Sequence, residues 1–183
     1  MDDVRRAVSM DAKAAGNLIY VVGLTRNELG GSHFHLVRGV QGGEAPIVDT
    51  VLGNRIFAGI HQAINDGLLR SCHDCSEGGI GVAAAEMAFA GGLGMQISLD
   101  VVPQTGGLRD HELLFAESNS RFVVEVDPDK AAGFELAMQD VPFGRIGQVT
   151  PEPDFRVIGS HGRVVVKAAI SQLKEAWQST LAW

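Results

Sequence analysis

The chain has 183 residues, 45% of them hydrophobic, and its 15 Lys and Arg residues against 22 Asp and Glu residues give a formal net charge of −7. An acidic surface repels a phosphate backbone, which excludes nucleic acid as the expected partner. The longest apolar runs fall far short of the roughly 20 residues that span a bilayer, and no signal peptide opens the chain, so we expect a cytoplasmic protein with no membrane partner. The length suits a single domain over residues 1–183 with a sizeable core.

Predicted strands and helices alternate through the first half of the chain. Residues 17–24, NLIYVVGL, are apolar and rich in β-branched side chains, which predicts a buried strand. After a glycine-rich loop through Gly43, apolar residues spaced four apart predict an amphipathic helix over residues 51–69. Residues 79–89 are rich in alanine and glycine, which predicts a buried helix that a neighbouring element approaches closely.

The second half continues the alternation. We predict strands over residues 95–99, 121–126 and 145–149, and a helix that begins at Pro128 and ends near residue 138. Residues 155–158 and 164–166 flank a glycine-containing turn and predict a hairpin, followed by a terminal helix with Leu173 and Trp177. The predicted class is α/β (α+β): a mixed sheet of at least four strands, with helices mainly on one face and residues 17–24 and 121–126 inside the sheet.

The stretch CHDCSEGG, residues 72–79, allows three interpretations. A zinc site needs a second pair of ligands beside Cys72 and Cys75, and His33 and His35 lack the usual spacing. A redox pair needs a cysteine at a helix start, whereas the glycines occupy that position here. We therefore predict that both cysteines are reduced thiols that neither bind zinc nor form a disulfide, and that the stretch is a turn between a strand and a helix.

In that turn, Ser76 is the predicted N-cap and Glu77 lies in the first helical turn. Gly78 and Gly79 expose backbone N–H groups to which an anion can bind. Asp74 and Glu77 have the chemistry to hold magnesium or to charge the helix start, and the second role is favoured.

A second glycine-rich stretch, LGGSHF, covers residues 29–34. The N–H groups of Gly30, Gly31 and Ser32 are predicted to form a concave nest for a phosphate, and the alternative is a tight connecting loop. His33 and His35 alternate as strand residues do, one on each face, which argues against a shared metal ion.

The polar run AESNSR, residues 116–121, precedes a predicted strand. Glu117 and Asn119 could accept hydrogen bonds from ribose hydroxyls while Ser118 and Ser120 donate. Arg121 could pair with a phosphate or with Glu117. The alternative is a hydrogen-bonded turn that orders the strand. Because each of the three loops combines polar groups with flanking apolar elements, we predict that they meet at one rim of the molecule.

Four motifs occur together: NELGGSHF, CHDCSEGGIGVAAAEMAFAGGLGMQISLD, LLFAESNSRFVVEV and PFGRIGQVT. In this order and spacing, they resemble the C-terminal domain of the aminoimidazole-ribotide-synthetase-like superfamily. More narrowly, they resemble the second such domain of the phosphoribosylformylglycinamidine synthase family. The resemblance implies a part of an ATP-dependent carbon–nitrogen ligase of purine biosynthesis. Such enzymes use magnesium and convert formylglycinamide ribonucleotide, ATP and glutamine-derived ammonia into the amidine by phosphorylating the amide oxygen, after which ammonia displaces phosphate.

The resemblance also implies that the chain is a fragment of a larger enzyme whose catalytic histidine and most metal and nucleotide ligands lie upstream. We therefore expect the isolated chain to be inactive and to require no cofactor, whereas the intact enzyme uses ATP and Mg²⁺. The implied partners are the N-terminal aminoimidazole-ribotide-synthetase-like domain of the same enzyme and a ribonucleotide or ATP/ADP, and a homodimer stays open. In the family's first copy, the matching loop reads Glu-Ser-Gln. Asn119 departs from it, which favours an auxiliary nucleotide site.

The sequence leaves two alternatives open. The chain could be a structural assembly module that covers a partner domain, with glycine loops that serve packing alone. It could also be the C-terminal domain of a related aminoimidazole-ribotide, selenophosphate, thiamine-phosphate or hydrogenase-maturation enzyme.

Overall fold

The computed structural model describes residues 3–179, which form one mixed sheet with helices on both faces. The strands are β1 (Leu18–Val22), β2 (Leu69–Asp74), β3 (Gly94–Ser98), β4 (Phe122–Val126), β5 (Phe143–Thr150), β6 (Asp154–Ile158) and β7 (Val164–Ala169). The α-helices are α1 (His33–Arg38), α2 (Thr50–Asn65), α3 (Gly79–Gly91), α4 (Asp110–Phe115), α5 (Ala131–Ala137) and α6 (Ile170–Ser179). Two short 3₁₀ turns cover Val4–Arg6 and Pro128–Lys130.

The seven strands lie in the order β2-β4-β1-β5-β3-β6-β7. Neighbouring strands are antiparallel except for β3 and β6, which run parallel. This confirms the predicted mixed sheet of at least four strands. The two segments predicted to lie inside it, β1 and β4, are adjacent, with Tyr20 opposite Val124.

Strand β1 separates two hydrophobic cores because its side chains alternate between the faces of the sheet. Ile19 and Val21 pack with α3 and α4, whereas Leu18, Tyr20 and Val22 pack with α2 and α5. All five residues of β1 are buried, which is typical of a strand covered on both faces. The helices are therefore distributed over both faces, where the sequence predicted them mainly on one.

Helices α2 and α3 follow the predicted patterns. Asp49 caps α2 by accepting hydrogen bonds from the N–H groups of Val51 and Leu52. The helix ends at Asn65, four residues before the predicted limit, because Leu69 already begins β2. In α3, a Cβ on Gly81 would lie 3.2 Å from the ring of Phe115, so the absent side chain lets α4 pack closely, as predicted.

Helices α1 and α4 were not predicted, and each has only six residues. His33 and His35 lie in α1, so the expectation that they alternate along a strand was wrong. The reason is local: the hydroxyl of Ser32 accepts a hydrogen bond from the N–H of His35 and starts a helical turn.

No helix within residues 3–179 is long and apolar enough to cross a bilayer.

Candidate functional site

One carboxylate joins the three polar loops. Oε1 of Glu117 accepts a hydrogen bond from the N–H of Gly78 and another from the N–H of His33, each at 2.9 Å. Glu117 lies in the loop before β4, Gly78 at the start of α3 and His33 at the start of α1. The three loops therefore meet at one rim of the molecule, as predicted.

The Glu117 carboxylate occupies the position that the sequence assigned to a bound anion. Other N–H groups of the predicted nest also donate within the protein: that of Gly30 to the carbonyl of Glu44 and that of Ser32 to the carbonyl of Leu29. The Gly79 N–H donates to the carbonyl of Ser76. These groups stabilise the loops themselves, and a phosphate at this nest stays a prediction.

The start of α3 differs from the prediction in one respect. Its N-cap is Gly78, with φ of 77° and no side-chain cap, so the assignment of Ser76 as N-cap was wrong and Glu77 precedes the helix. Gly79 also has a positive φ, and a Cβ there would collide with the carbonyl oxygen of Ala116. Glycine is required because the backbone of this turn touches the loop that carries Glu117.

Glu77 is exposed, and the pKa of its carboxyl lies below the usual value. The main cause is a hydrogen bond from its own backbone N–H, and the hydroxyl of Ser76 adds to the effect. Glu77 is therefore a charged acceptor at the rim.

Arg121 is the buried anchor of the Glu117 loop. Only 1% of its surface is exposed, and its guanidinium donates to the carbonyls of Ser118 and Ala116 and to the hydroxyl of Thr25. Burial lowers its pKa, and the charges of Cys75, Glu28 and Glu117, in decreasing order, partly offset that effect. Because these bonds commit the guanidinium within the protein, we assign Arg121 to holding the loop in shape.

The loop contains local backbone strain. Ser120 has φ of 59°, a left-handed backbone conformation that residues other than glycine rarely adopt. Its neighbour Ser118 is fully buried, and its hydroxyl accepts a hydrogen bond from the N–H of Arg26. The buried contacts of Ser118 and Arg121 hold this strained turn, which places Asn119 in solvent.

A cleft of about 420 Å³ opens beside this loop and is called the Glu117 cleft. One wall is apolar: Phe57 is 50% exposed, and its ring lies edge-to-face with that of Phe122 at a centroid distance of 5.9 Å. The lining residues are Pro46, Phe57, Asp74, Cys75, Ser76, Glu77, Glu117, Asn119, Ser120, Arg121 and Phe122.

The ten residues predicted from the sequence to bind a ligand differ in how far they are exposed to solvent. Exposed ones are Gly31, Ser76 and Asn119; partly buried ones are Gly30 and Glu117; buried ones are Ser32, Gly78, Gly79, Ser118 and Arg121.

Sequence reasoning missed a second cleft, of about 590 Å³, which shares Asp74, Ser76 and Glu77 with the Glu117 cleft. Here the carboxylate of Glu86 contacts Nε2 of His73 at 2.6 Å and accepts a hydrogen bond from Nε1 of Trp177 at 2.8 Å. Glu86 thereby links β2 to α6. Trp177 lies 91 positions from Glu86 along the chain, so only the fold brings it to this pair.

Cys72 and Cys75 are free thiols that belong to opposite faces of the sheet. Cys75 lies in the core beneath α3, whereas Cys72 packs against the core beneath α2. Burial raises the pKa of Cys72 to about 12 and that of Cys75 to about 11. Two thiols so placed cannot act as neighbouring ligands of one ion.

Within residues 3–179, no three His, Cys, Asp or Glu side chains are arranged to hold a metal ion. The Mg²⁺ that the family resemblance implies therefore finds no site made of three such side chains among the described residues. We assign no step to it.

The chain is similar in sequence to one protein family and to individual members of it. Residues 14–160 match the family described as AIR synthase related protein, C-terminal domain. The chain is 35% identical to phosphoribosylformylglycinamidine synthase subunit PurL of Deinococcus radiodurans over 99% of its own length, and 34% identical to the same subunit of Thermococcus sibiricus over 93%. It spans about a quarter of each relative, 25% and 23%.

Solved structures share the fold. The chain aligns with PurL of Thermotoga maritima complexed with FGAR at a TM-score of 0.82 and 22% identity, covering 93% of this chain and 30% of that one. The same protein complexed with ATP aligns at a TM-score of 0.76 and 21% identity, covering 93% of this chain and 27% of that one.

Proposed function

The chain belongs to the family of AIR synthase related proteins, C-terminal domain, and we propose that it acts as such a domain in a phosphoribosylformylglycinamidine synthase. The intact enzyme would join ammonia nitrogen to formylglycinamide ribonucleotide at the expense of ATP. The identity to the PurL subunits of Deinococcus radiodurans and Thermococcus sibiricus supports this choice within the family.

The remaining length of those relatives, about three quarters, would supply the other domains. In the proposed assembly, an N-terminal aminoimidazole-ribotide-synthetase-like domain covers the rim where the three loops meet. The ATP, the magnesium ion and the groups that react would be held largely by those domains. The chain alone would then bind and orient without catalysing the reaction.

One observation carries the proposal: the contact of Glu117 with the starts of α1 and α3. It fixes three loops into one rim and leaves Ser76 and Asn119 exposed in the adjoining cleft. Binding groups on such a rigid frame lose little conformational freedom when a ligand arrives, which suits a site that positions a substrate. In the reaction, these residues would orient a ribonucleotide while the amide oxygen is phosphorylated and ammonia displaces the phosphate.

A second candidate function is the assembly module, in which the loops serve only to pack against a partner domain. The commitment of Arg121, Ser118 and Gly78 to bonds within the protein favours it. Under this alternative, the exposed polar side chains of the Glu117 cleft would contribute nothing to substrate affinity.

A chimera tests the proposal. The segment of the Deinococcus radiodurans relative that matches this chain is replaced by the chain, and ADP release that depends on the ribonucleotide and ammonia is measured. We expect an active chimera in which Asn119→Ala raises the KM for the ribonucleotide or ATP about fivefold with little change in kcat.

Gln148→Ala serves as the control, because Gln148 is exposed on β5 and does not line the Glu117 cleft. An active chimera whose KM values are untouched by Asn119→Ala would support the assembly module. A folded, correctly assembled chimera without activity would contradict the proposal that the chain acts as a domain of this enzyme.

A further inference from the structure

We infer that the Glu117 cleft takes the nucleoside end of a nucleotide, its base and ribose, and that the phosphates lie outside it. This inference rests on the proposed function and specifies which part of the ligand this chain would hold.

The cleft offers no free cation to a phosphate. Among its lining residues in the described part of the chain, Arg121 alone is basic, and its guanidinium is committed to three acceptors in the protein. Asp74, Glu77 and Glu117 line the same space as carboxylates. Three acidic groups without an available counter-charge repel a polyphosphate.

Two backbone donors at helix starts that could replace a cation are also occupied. At the start of α3 and at the start of α1, the N–H groups of Gly78 and His33 point to the Glu117 carboxylate. A phosphate would have to displace this carboxylate and leave it partly buried without those partners, which has a cost in free energy. The built-in carboxylate therefore disfavours a phosphate at this position.

The same lining suits hydroxyl and amino groups. Carboxylates accept hydrogen bonds from ribose hydroxyls, and the Asn119 amide and the Ser76 hydroxyl both donate and accept. Both side chains are exposed at the cleft. A ribose therefore finds acceptors here, and a base edge finds groups of either kind.

The apolar wall supplies the remaining contact. Phe57 is half exposed and lies beside Phe122 and Pro46, so a planar base can stack against an aromatic surface. The volume of about 420 Å³ falls within the range of roughly 300–1,000 Å³ usual for small-molecule pockets. A base, a ribose and hydrogen-bonding side chains thus fit one cleft.

The test is an NMR titration of the ¹⁵N-labelled chain with adenosine, and separately with inorganic phosphate and with spermidine. Adenosine is expected to shift the amide signals of residues 74–78 and 117–122 and to saturate, whereas phosphate leaves them unchanged. Phe57→Ala is expected to weaken adenosine binding about tenfold, because the stacking surface is lost. Val164→Ala, an exposed apolar residue on the far edge strand, is the matched control and should bind as the unmodified chain does.

Shifts of the Gly78 and His33 amides by phosphate, with none by adenosine, would overturn the inference. So would saturable binding of spermidine in place of adenosine, which would make the cleft a site for organic cations. Neither result would contradict the proposed function, because the chimera could still be active and its KM could still respond to Asn119→Ala. If the chimera were inactive while the chain bound adenosine normally, the proposed function would be contradicted and the inference about the cleft would stand.

Discussion

The carboxylate of Glu117 and the backbone N–H of Gly78 are joined by a hydrogen bond of 2.9 Å across 39 positions of sequence. The same oxygen accepts the N–H of His33, so the starts of two helices are fixed to a single side chain. The Glu117 carboxylate thereby supplies a negative charge at the positive end of the α3 dipole and an acceptor for two backbone N–H groups. This contact gives the rim its shape and determines which ligand groups it can still accept.

Glu117→Ala should lower the free energy of unfolding by about 2 kcal/mol, because two charge-assisted hydrogen bonds are lost from a side chain that is only 16% exposed. Glu117→Gln keeps an acceptor oxygen without the charge and should cost about half as much. Urea denaturation measures both. Glu77→Ala is the control, because Glu77 is exposed, and it should stay within about 0.5 kcal/mol of the unmodified chain. Equal stability of all the variants would show that the bridge does not hold the loops.

Arg121→Ala should destabilise the chain by about 3 kcal/mol, because it leaves a cavity and three acceptors without their donor. Arg121→Lys keeps a charge but cannot reach all three acceptors in the planar geometry, so it should recover only part of the loss. Thermal or urea unfolding checks this, with exposed Arg145→Ala as the control. A stable Arg121→Ala chain that had lost only nucleoside binding would instead make Arg121 a ligand-contacting residue.

Gly79 and Gly31 both have positive φ, but their surroundings differ. A Cβ at Gly79 would collide with the backbone of Ala116, whereas nothing lies within 4 Å of a Cβ at Gly31. Gly31→Ala should therefore cost only about 1 kcal/mol, from the backbone conformation, and Gly79→Ala several times as much. Similar losses of unfolding free energy in the two variants would contradict the close contact between α3 and the Glu117 loop.

The sequence was sufficient for the long elements and for the convergence of the three loops, and insufficient for the contacts that fix those loops together. The apolar pattern of β1 and the alanine-rich pattern of α3 predicted both elements because these patterns extend over several turns or pleats. Helices α1 and α4 are too short to show a period. Ser76 was assigned as N-cap from its local position, but the acceptor at that helix start is Glu117, a partner that only the tertiary fold supplies.

The burial of half the predicted site residues could not be predicted either. Arg121 is a typical phosphate ligand by residue type, yet it is buried directly before β4, under the loop that it anchors. Polarity in a loop does not distinguish a group that binds a ligand from one that orders the loop, because both roles use the same donors and acceptors.

The pH dependence of the unfolding free energy should show the contribution of the Asp110 carboxylate. Asp110 joins the start of α4 to the β6–β7 turn. Its Oδ1 accepts hydrogen bonds from the backbone N–H of Ser160 at 2.9 Å and from the Ser160 hydroxyl at 2.7 Å, and these bonds lower its pKa below 3.8. A carboxyl with a lowered folded-state pKa stabilises the fold above the unfolded-state pKa, and this contribution disappears as the pH falls through the folded-state value.

Asp110→Asn should therefore reduce the unfolding free energy by about 1 kcal/mol near neutral pH, a modest value because the group is partly solvated. The difference from the unmodified chain should shrink as the pH falls below 3.8. Urea unfolding across this range measures it. A difference that is constant with pH would assign the effect to packing rather than to the charge of Asp110.

Hydrogen–deuterium exchange of the chimera, with and without ATP and the formylglycinamide ribonucleotide, tests most directly whether the rim of this chain forms part of a ligand site. The prediction is slower exchange in peptides covering residues 74–78 and 117–122 when a nucleotide is bound, with β7 at the far edge of the sheet unchanged as an internal control. Protection confined to the other domains, with no change at these two loops, would contradict it.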